Sequence, residues 1–329
     1  MGKEDLNFRL YRLRFSFVAR EPVCFPDGKA GNVVRGAFGE ILRKIACVPG
    51  CPGPQQCEVR GECPYARMFE PRAVGKGPSG LADWPRPFVF RAVHLDGRTV
   101  ERGEGFCFDL NLFDVKHPAV EYLALTFAQL AREGVGPMRG RADLAKVTQL
   151  DEGGQETQVF DGPAFGVRRD LPPLTLSLEP PPAPVERLRV RFVTPTELKS
   201  GRETAERPDF GVLAARIRDR LSTLRQLYDS GPLPIDFSGF GERAGRVRMT
   251  RCELTPVKLT RRSSRTGQRH PIGGFIGDAD YEGELGEFVP YLKAARFTGV
   301  GRQTVWGKGE VEVTLLCSGK EQVGGRPPI

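Results

Sequence analysis

Between Phe8 and Phe25 the chain alternates, with Leu13, Phe15 and Phe17 on one side and Arg12, Arg14 and Ser16 on the other. A period of two puts each set on its own face of a pleated strand, so the run predicts a half-buried strand. Asp27-Gly28 marks a turn. Val33, Val34, Phe38, Ile41, Leu42 and Ile45 then recur at helical spacing and predict a helix that ends near Cys47. After a cysteine-rich excursion over 47–71 and a Gly/Pro loop, two more strands are predicted over Pro87–His94 and Gly105–Phe113. A second helix is expected over Pro118–Glu133, with Gly134 where a C-cap belongs. Strands near 144–150 and 156–160 complete this half.

Seven prolines fall within 163–186, which reads as a semi-rigid connector. The second half repeats the grammar: a strand from Leu188, an amphipathic helix over Phe210–Tyr228, and strands near 247–259 and 272–282. A short helix over Glu284–Ala294, a glycine-rich loop and a last strand follow. Twice the order is β-α-β-β-α-β, that of a ferredoxin-like unit, which RRM-type proteins share. The expected fold is α+β, with tandem ferredoxin-like (RRM-like) domains over 1–162 and 187–329, side by side with a groove between or across them.

Composition changes this picture mainly through charge. The 39% of apolar residues suffices for real cores, and no segment approaches a bilayer-spanning run. The first residues lack the apolar core of a secretory signal, so a cytoplasmic protein with reduced thiols is expected. Residues 1–186 hold 24 basic and 24 acidic residues, whereas 187–329 hold 25 and 17, a surplus equal to the whole net charge of +8. From Arg243 to Arg269, nine cations face Glu253 alone. Such a run suits a phosphate-binding surface or, at its plainest, a solvated basic hairpin.

The glycine loop, Phe297-Thr-Gly-Val-Gly-Arg-Gln-Thr-Val-Trp-Gly-Lys-Gly309, runs directly into an alternating strand. Glycines permit positive φ and let backbone N–H groups approach phosphates, and Arg302 and Lys308 add charge. A Walker or dinucleotide loop would open a helix, and the order here is helix, loop, strand. This loop resembles the glycine-rich signature of the RAMP superfamily, and within it the CRISPR pre-crRNA-processing endoribonuclease family. Asn32-Val-Val-Arg-Gly-Ala-Phe-Gly39, the cysteine cluster, Arg262-Ser-Ser-Arg265 and Gly273-Gly-Phe-Ile-Gly277 share in the resemblance. Its fold is the tandem one already read from the pattern. It implies metal-independent cleavage of a CRISPR repeat in pre-crRNA, in which the 2′-OH attacks the adjacent phosphate and leaves 2′,3′-cyclic phosphate and 5′-OH ends. CRISPR effector subunits are further expected partners, and no membrane is.

Cys47-x3-Cys51-x5-Cys57-x5-Cys63 puts four thiols in a turn-rich 17-residue stretch. Four thiolates at this spacing suit a structural zinc; an iron–sulfur cluster takes the same ligands, and free thiols are the plain alternative. The expected insertion is thus metal-binding but not catalytic, since four protein ligands leave no open position. Cys24, Cys107, Cys252 and Cys317 are scattered and read as core or surface thiols.

Cleavage by 2′-OH attack needs a base, cations for the developing charge and an acid for the leaving oxygen. Relatives place a histidine on or near the first helix or directly before the glycine loop. This chain has none between Phe25 and Cys47, and has Thr298 before the loop. Of its three histidines, His270 lies on the basic hairpin and is the candidate acid or base, while His94 and His117 read as structural. Arg35, which in the family faces RNA, and Lys29 complete the candidate catalytic set; an ion pair to an acid is the plain reading of Arg35. Expected RNA contacts are Arg262, Arg265, Arg269, Gly299, Gly301, Arg302, Gly307, Lys308 and Gly309. Tyr281 suits either a ribose contact or a core strand. Without its histidines the chain also reads as a non-catalytic subunit that holds guide RNA, or as a metal-stabilised scaffold for an acidic protein.

Overall fold

The computed structural model describes residues 6–48, 50–53, 56–71, 84–161, 166–168, 170–201, 203–262, 268–317 and 320–321. The first half runs β1 (Asn7–Ala19), β2 (Val23–Cys24), α1 (Ala30–Ala46), α2 (Pro64–Phe69), β3 (Phe88–Arg91) and β4 (Thr99–Val100). It continues with β5 (Gly105–Leu112), α3 (Val120–Glu133), β6 (Ala142–Leu150), β7 (Glu156–Asp161) and β8 (Leu174–Ser177). Its sheet is ordered β3-β5-β1-β6-β7, with antiparallel neighbours throughout. The second half runs β9 (Arg187–Thr196), the small hairpin β10 (Lys199–Ser200) and β11 (Glu203–Thr204), α4 (Phe210–Tyr228), α5 (Phe237–Gly245) and β12 (Arg248–Val257). The hairpin β13 (Thr260–Arg262) and β14 (Arg269–Pro271), then β15 (Gly274–Glu282), α6 (Val289–Thr298), β16 (Val311–Cys317) and β17 (Lys320–Glu321) complete it. Its sheet is ordered β12-β15-β9-β16-β17. In each sheet the first strand of the unit lies between the third and fourth, which is the ferredoxin-like arrangement expected from element order.

Strict alternation in β1 serves two cores at once. Tyr11, Leu13, Phe15, Phe17 and Ala19 enter the core beneath α1 and α3. Phe8 and Leu10, on the opposite face, enter a second core with α4 and α6, joined by Val89 and Phe113. The first sheet is therefore covered on one face by its own helices and, over part of the other, by helices of the second unit. The stretch expected to be a connector adds β8 to the edge of β1, with Leu176 and Leu178 entering the second core. In the first core, Phe38 stacks on Phe127 at 4.9 Å and meets Phe69, Phe88 and Phe90 at 4.9–5.7 Å. Each such ring removed from water contributes about 1.5–3 kcal/mol.

The contact that orders the two units lies at the end of α6. A helix leaves its last carbonyls without intrahelical donors. Here Arg91 from β3 donates to the Arg296 carbonyl at 2.7 Å, and Asn111 from β5 donates to that of Phe297 at 2.9 Å. Arg220 from α4 donates to the Thr298 carbonyl at 2.9 Å. Two cations at a helix C-terminus also complement its dipole. Burial pushes the Arg220 guanidinium down to about 10, with Arg91 nearby adding to the effect. Asn111 is 1% exposed. Asn111→Leu keeps the volume and deprives a buried carbonyl of its best donor, which should cost about 1–3 kcal/mol. A lower urea midpoint checks this; an unchanged midpoint would show that the cap contributes nothing to stability.

Candidate functional site

Three segments from distant parts of the sequence converge at the start of α1. Asp96 accepts from the Ala30 amide at 2.7 Å and so caps the helix from outside, since Lys29 at the N-cap position makes no side-chain cap bond. Lys308 of the glycine loop donates to the Gly28 carbonyl at 2.8 Å. Leu259, entering the β13–β14 hairpin, packs against Gly28, where an added Cβ would stand 2.9 Å from its side chain. An added Cβ on Gly31 would stand 2.6 Å from the Trp306 carbonyl, so this glycine lets α1 lie directly on the loop.

The loop itself corrects part of the sequence reading. Its glycines serve close self-packing. Gly299, Gly301, Gly307 and Gly309 all have positive φ, and Cβ atoms on Gly301 and Gly309 would stand 2.3 and 2.0 Å from the Glu197 and Val300 carbonyls. The amides of Val300, Arg302, Trp306, Gly307 and Gly309 are bonded to protein carbonyls, not held out for phosphate. Lys308, expected to meet RNA, is 5% exposed, and burial lowers its pKa despite Asp96 and Asp27 nearby. It is a strut between the halves. Arg302 stays exposed and pairs with Glu197 at 3.1 Å. Gln303 ties the loop to the hairpin by donating to the Pro271 carbonyl at 2.7 Å.

What the loop does present is Trp306. The Arg35 guanidinium lies 5.1 Å from the indole centroid and 5.3 Å from the Phe69 ring, and that of Arg261 lies 4.3 Å from the indole. Both arginine Nε atoms and Trp306 Nε1 are buried without a hydrogen-bond partner. Burial, helped by Arg86 and Arg261, pushes the Arg35 pKa down to about 10, with only Tyr65 acting the other way. Among the described residues no carboxylate pairs with Arg35. Such a cluster is costly by itself and complementary to an anion. Arg261 and His270 are register partners across β13–β14, and directly opposed residues project from one face. The pairing therefore puts His270 on the face that Arg261 turns to Trp306.

The basic run is less bare than it reads. Arg243 pairs with Glu287 through two bonds of 2.7 Å, Arg248 with Glu282 at 3.2 Å, and Arg251 with Glu253. Glu253 lies on β12 beside Arg251, while Glu282 and Glu287 come from β15 and the turn after it, which sequence distance conceals. Arg269 is exposed and pairs in register with Arg262, while Arg265 lies outside the described residues. Tyr281 is a core residue, fully buried, whose hydroxyl donates to the Pro208 carbonyl at 2.6 Å. His94 is held at the Cys107 carbonyl at 2.8 Å, and Thr298 is buried. Trp306, Phe69 and Arg86 were not singled out as site residues; an aromatic inside a glycine loop beside cations was the available signal for the first.

In the insertion, Cys47, Cys51, Cys57 and Cys63 stand near enough to act on one another electrostatically. Burial, followed by Cys63 and Cys51, raises the Cys47 pKa. All four are half-buried and reduced. The thiols gather, and their chemistry fits a tetrathiolate site, although among the described residues no three His, Cys, Asp or Glu side chains stand in ligating geometry.

Comparison with known proteins agrees with this architecture. The CRISPR-associated endoribonuclease Cas6 family matches residues 190–311, and the AF_1859_N family, described as an N-terminal domain, matches residues 8–171. The product complex of Cas6 (TTHB231) is similar over 92% of this chain and 98% of its own, at 18% identity and a TM-score of 0.54. Thermus thermophilus Cas6 (TTHB231) is similar over 95% of this chain and 100% of its own, at 16% identity and a TM-score of 0.51. A chain of the partial Cas6-RT-Cas1--Cas2 complex covers all of this one with 49% of its own length, at 12% identity and a TM-score of 0.55. No curated protein matches the sequence. The unit that carries the glycine loop thus matches the CRISPR-associated endoribonuclease Cas6 family, and the chain as a whole has the fold of the Cas6 structures it resembles.

Proposed function

We propose that this chain binds the repeat of a CRISPR transcript and cuts it at one phosphate without a catalytic metal. The observation that carries this reading is the pair Arg35 and Arg261 about Trp306, with which no carboxylate pairs among the described residues. The 2′-oxygen attacks phosphorus while its proton passes to a base, the bond to the 5′-oxygen breaks, and that oxygen takes a proton from an acid. Arg35 and Arg261 stabilise the charge on the non-bridging oxygens, where desolvated donors act most strongly. Arginine stays protonated at working pH, so neither moves a proton. His270, on the Arg261 face of the hairpin, gives or takes one, and Lys29 adds charge at the start of α1. Arg269, Arg302 and the hairpin arginines Arg262 and Arg265 hold the flanking strand. The absence of histidine from α1 favours a second reading, a subunit that keeps the processed RNA bound within an effector assembly.

Wild-type protein should cleave its own repeat in EDTA, give a 2′,3′-cyclic phosphate, and fail on RNA with a 2′-deoxy substitution at the cut. Arg35→Met should slow single-turnover cleavage about 10²–10³-fold while keeping or raising the melting temperature, because it removes a desolvated charge. His270→Ala should cost about 10²–10⁴-fold. Cleavage that persists on the 2′-deoxy substrate would refute the mechanism. Tight binding with no product between pH 6 and pH 9 would decide for the holding subunit.

We also propose that Cys47, Cys51, Cys57 and Cys63 bind a structural zinc, which would relieve the mutual repulsion of thiolates and fold a segment with little core of its own. Protein purified without chelator should carry one zinc per chain, and Cys51→Ser should lose it and melt earlier. Iron with visible absorbance would assign a cluster instead, and metal-free protein of undiminished stability would remove the site.

A further inference from the structure

A second polar cavity lies in the first unit, at the start of α3, away from the Arg35 cluster. It encloses about 380 Å³, in the range of small-ligand sites, and is lined by Tyr11 from β1, Gln149 from β6, Arg67 from α2, and Lys116, His117 and Glu121. α3 is a 14-residue helix whose N-cap, Ala119, is held in the left-handed region at φ 48° and supplies no side-chain cap. Its first-turn amides therefore lack a capping side chain, Val120 and Glu121 of that turn line the cavity, and a helix N-terminus favours an anion.

Two further groups point to a ligand. Tyr11, 7% exposed, lines the cavity. Gln149 uses its amide nitrogen on the Pro172 carbonyl at 2.6 Å, which leaves its Oε1 buried and unbonded. Buried polar atoms are seldom left so, and Gln149 belongs to the cavity wall. Arg67 is committed to Asp114 and to the His117 carbonyl, which stiffens the rim. Lys116 and His117 are exposed at the mouth. Glu121 opposes an anion in the first turn, so the charged end of a ligand belongs toward Lys116 and His117.

We infer that this cavity is a ribonucleotide site. Phosphate sits at the mouth with Lys116, His117 and the α3 amides, while sugar or base hydroxyl and amino groups meet Tyr11 and the Gln149 carbonyl oxygen. The same short helix, α2, serves both sites, with Phe69 against Arg35 and Arg67 in the cavity wall. A nucleotide within the bound RNA strand and a free mononucleotide share the required chemistry; the strand as source rests on the RNA-processing function proposed above.

Calorimetric titration with AMP, UMP and inorganic phosphate tests this in protein carrying Arg35→Ala and Arg261→Ala, where the cleavage site has lost both of the cations assigned to its phosphate. One nucleotide should bind per chain, more tightly than phosphate. Tyr11→Phe, and separately Lys116→Ala with His117→Ala, should each weaken it about three- to tenfold. The exposed pair keeps the test valid if the Tyr11 variant misfolds. Repeat RNA carrying 4-thiouridine, crosslinked to wild type, should label the 116–121 segment if the nucleotide is strand-borne; nucleotide binding without that crosslink assigns a free mononucleotide. No nucleotide binding and no crosslink, in protein whose wild type still cleaves, would overturn the cavity as a site and leave the cleavage mechanism standing. Nucleotide binding in protein that never cleaves would do the reverse.

Discussion

Everything at the site depends on how the last carbonyls of α6 are satisfied. They arrive at the junction of the two units, and side chains from both units supply the donors. Arg91 and Asn111 come from the first sheet and Arg220 from the second unit's own helix. Because hydrogen bonds are short and directional, these contacts fix where the chain leaves α6. The glycine loop starts at that point, and the loop decides where Trp306 meets Arg35.

The molecule accepts positive charge in poorly solvated places twice, for different ends. At the α6 terminus the charges of Arg91 and Arg220 meet carbonyl dipoles, and the outcome is rigidity. Around Trp306 the charges of Arg35 and Arg261 meet ring faces, which are weaker partners, and guanidinium nitrogens stay unbonded. In the first arrangement each guanidinium satisfies a carbonyl, although Arg91 Nη1 and Arg220 Nη2 are left without partners there too; under the proposed function an anion supplies the partners around Trp306.

Much of the scaffold was legible in the sequence because alternation and helical periodicity are local. The run from Phe8, the helix ending at Cys47 and the helix Phe210–Tyr228 stand where their patterns put them. α5 was hidden by Gly239, Gly241 and Gly245, which weaken helix propensity; Asp236, accepting from the Ser238 and Gly239 amides, was its only signal. β8 was hidden by the prolines around it. The site was less legible, since charge pairing depends on which residues folding brings together. Lys308 looked like a phosphate ligand and is an internal strut, and the acids opposing Arg243 and Arg248 lay at least 34 residues away in sequence. That His270 shares a face with Arg261 could be known only once the hairpin register was.

The double use of β1 has a consequence for the architecture as a whole. A tandem of two similar units suggests parts that could be exchanged or separated, each with its own interior. Here one strand gives Leu13, Phe15 and Phe17 to one interior and Phe8 and Leu10 to the other. No cut between the repeats leaves both interiors closed: a lone first unit would expose Phe8, Leu10 and Val89 to water, and a lone second unit would lack the wall they form. Whatever their ancestry, the halves now make up a single folding unit, and a change that loosens either one is felt in the other.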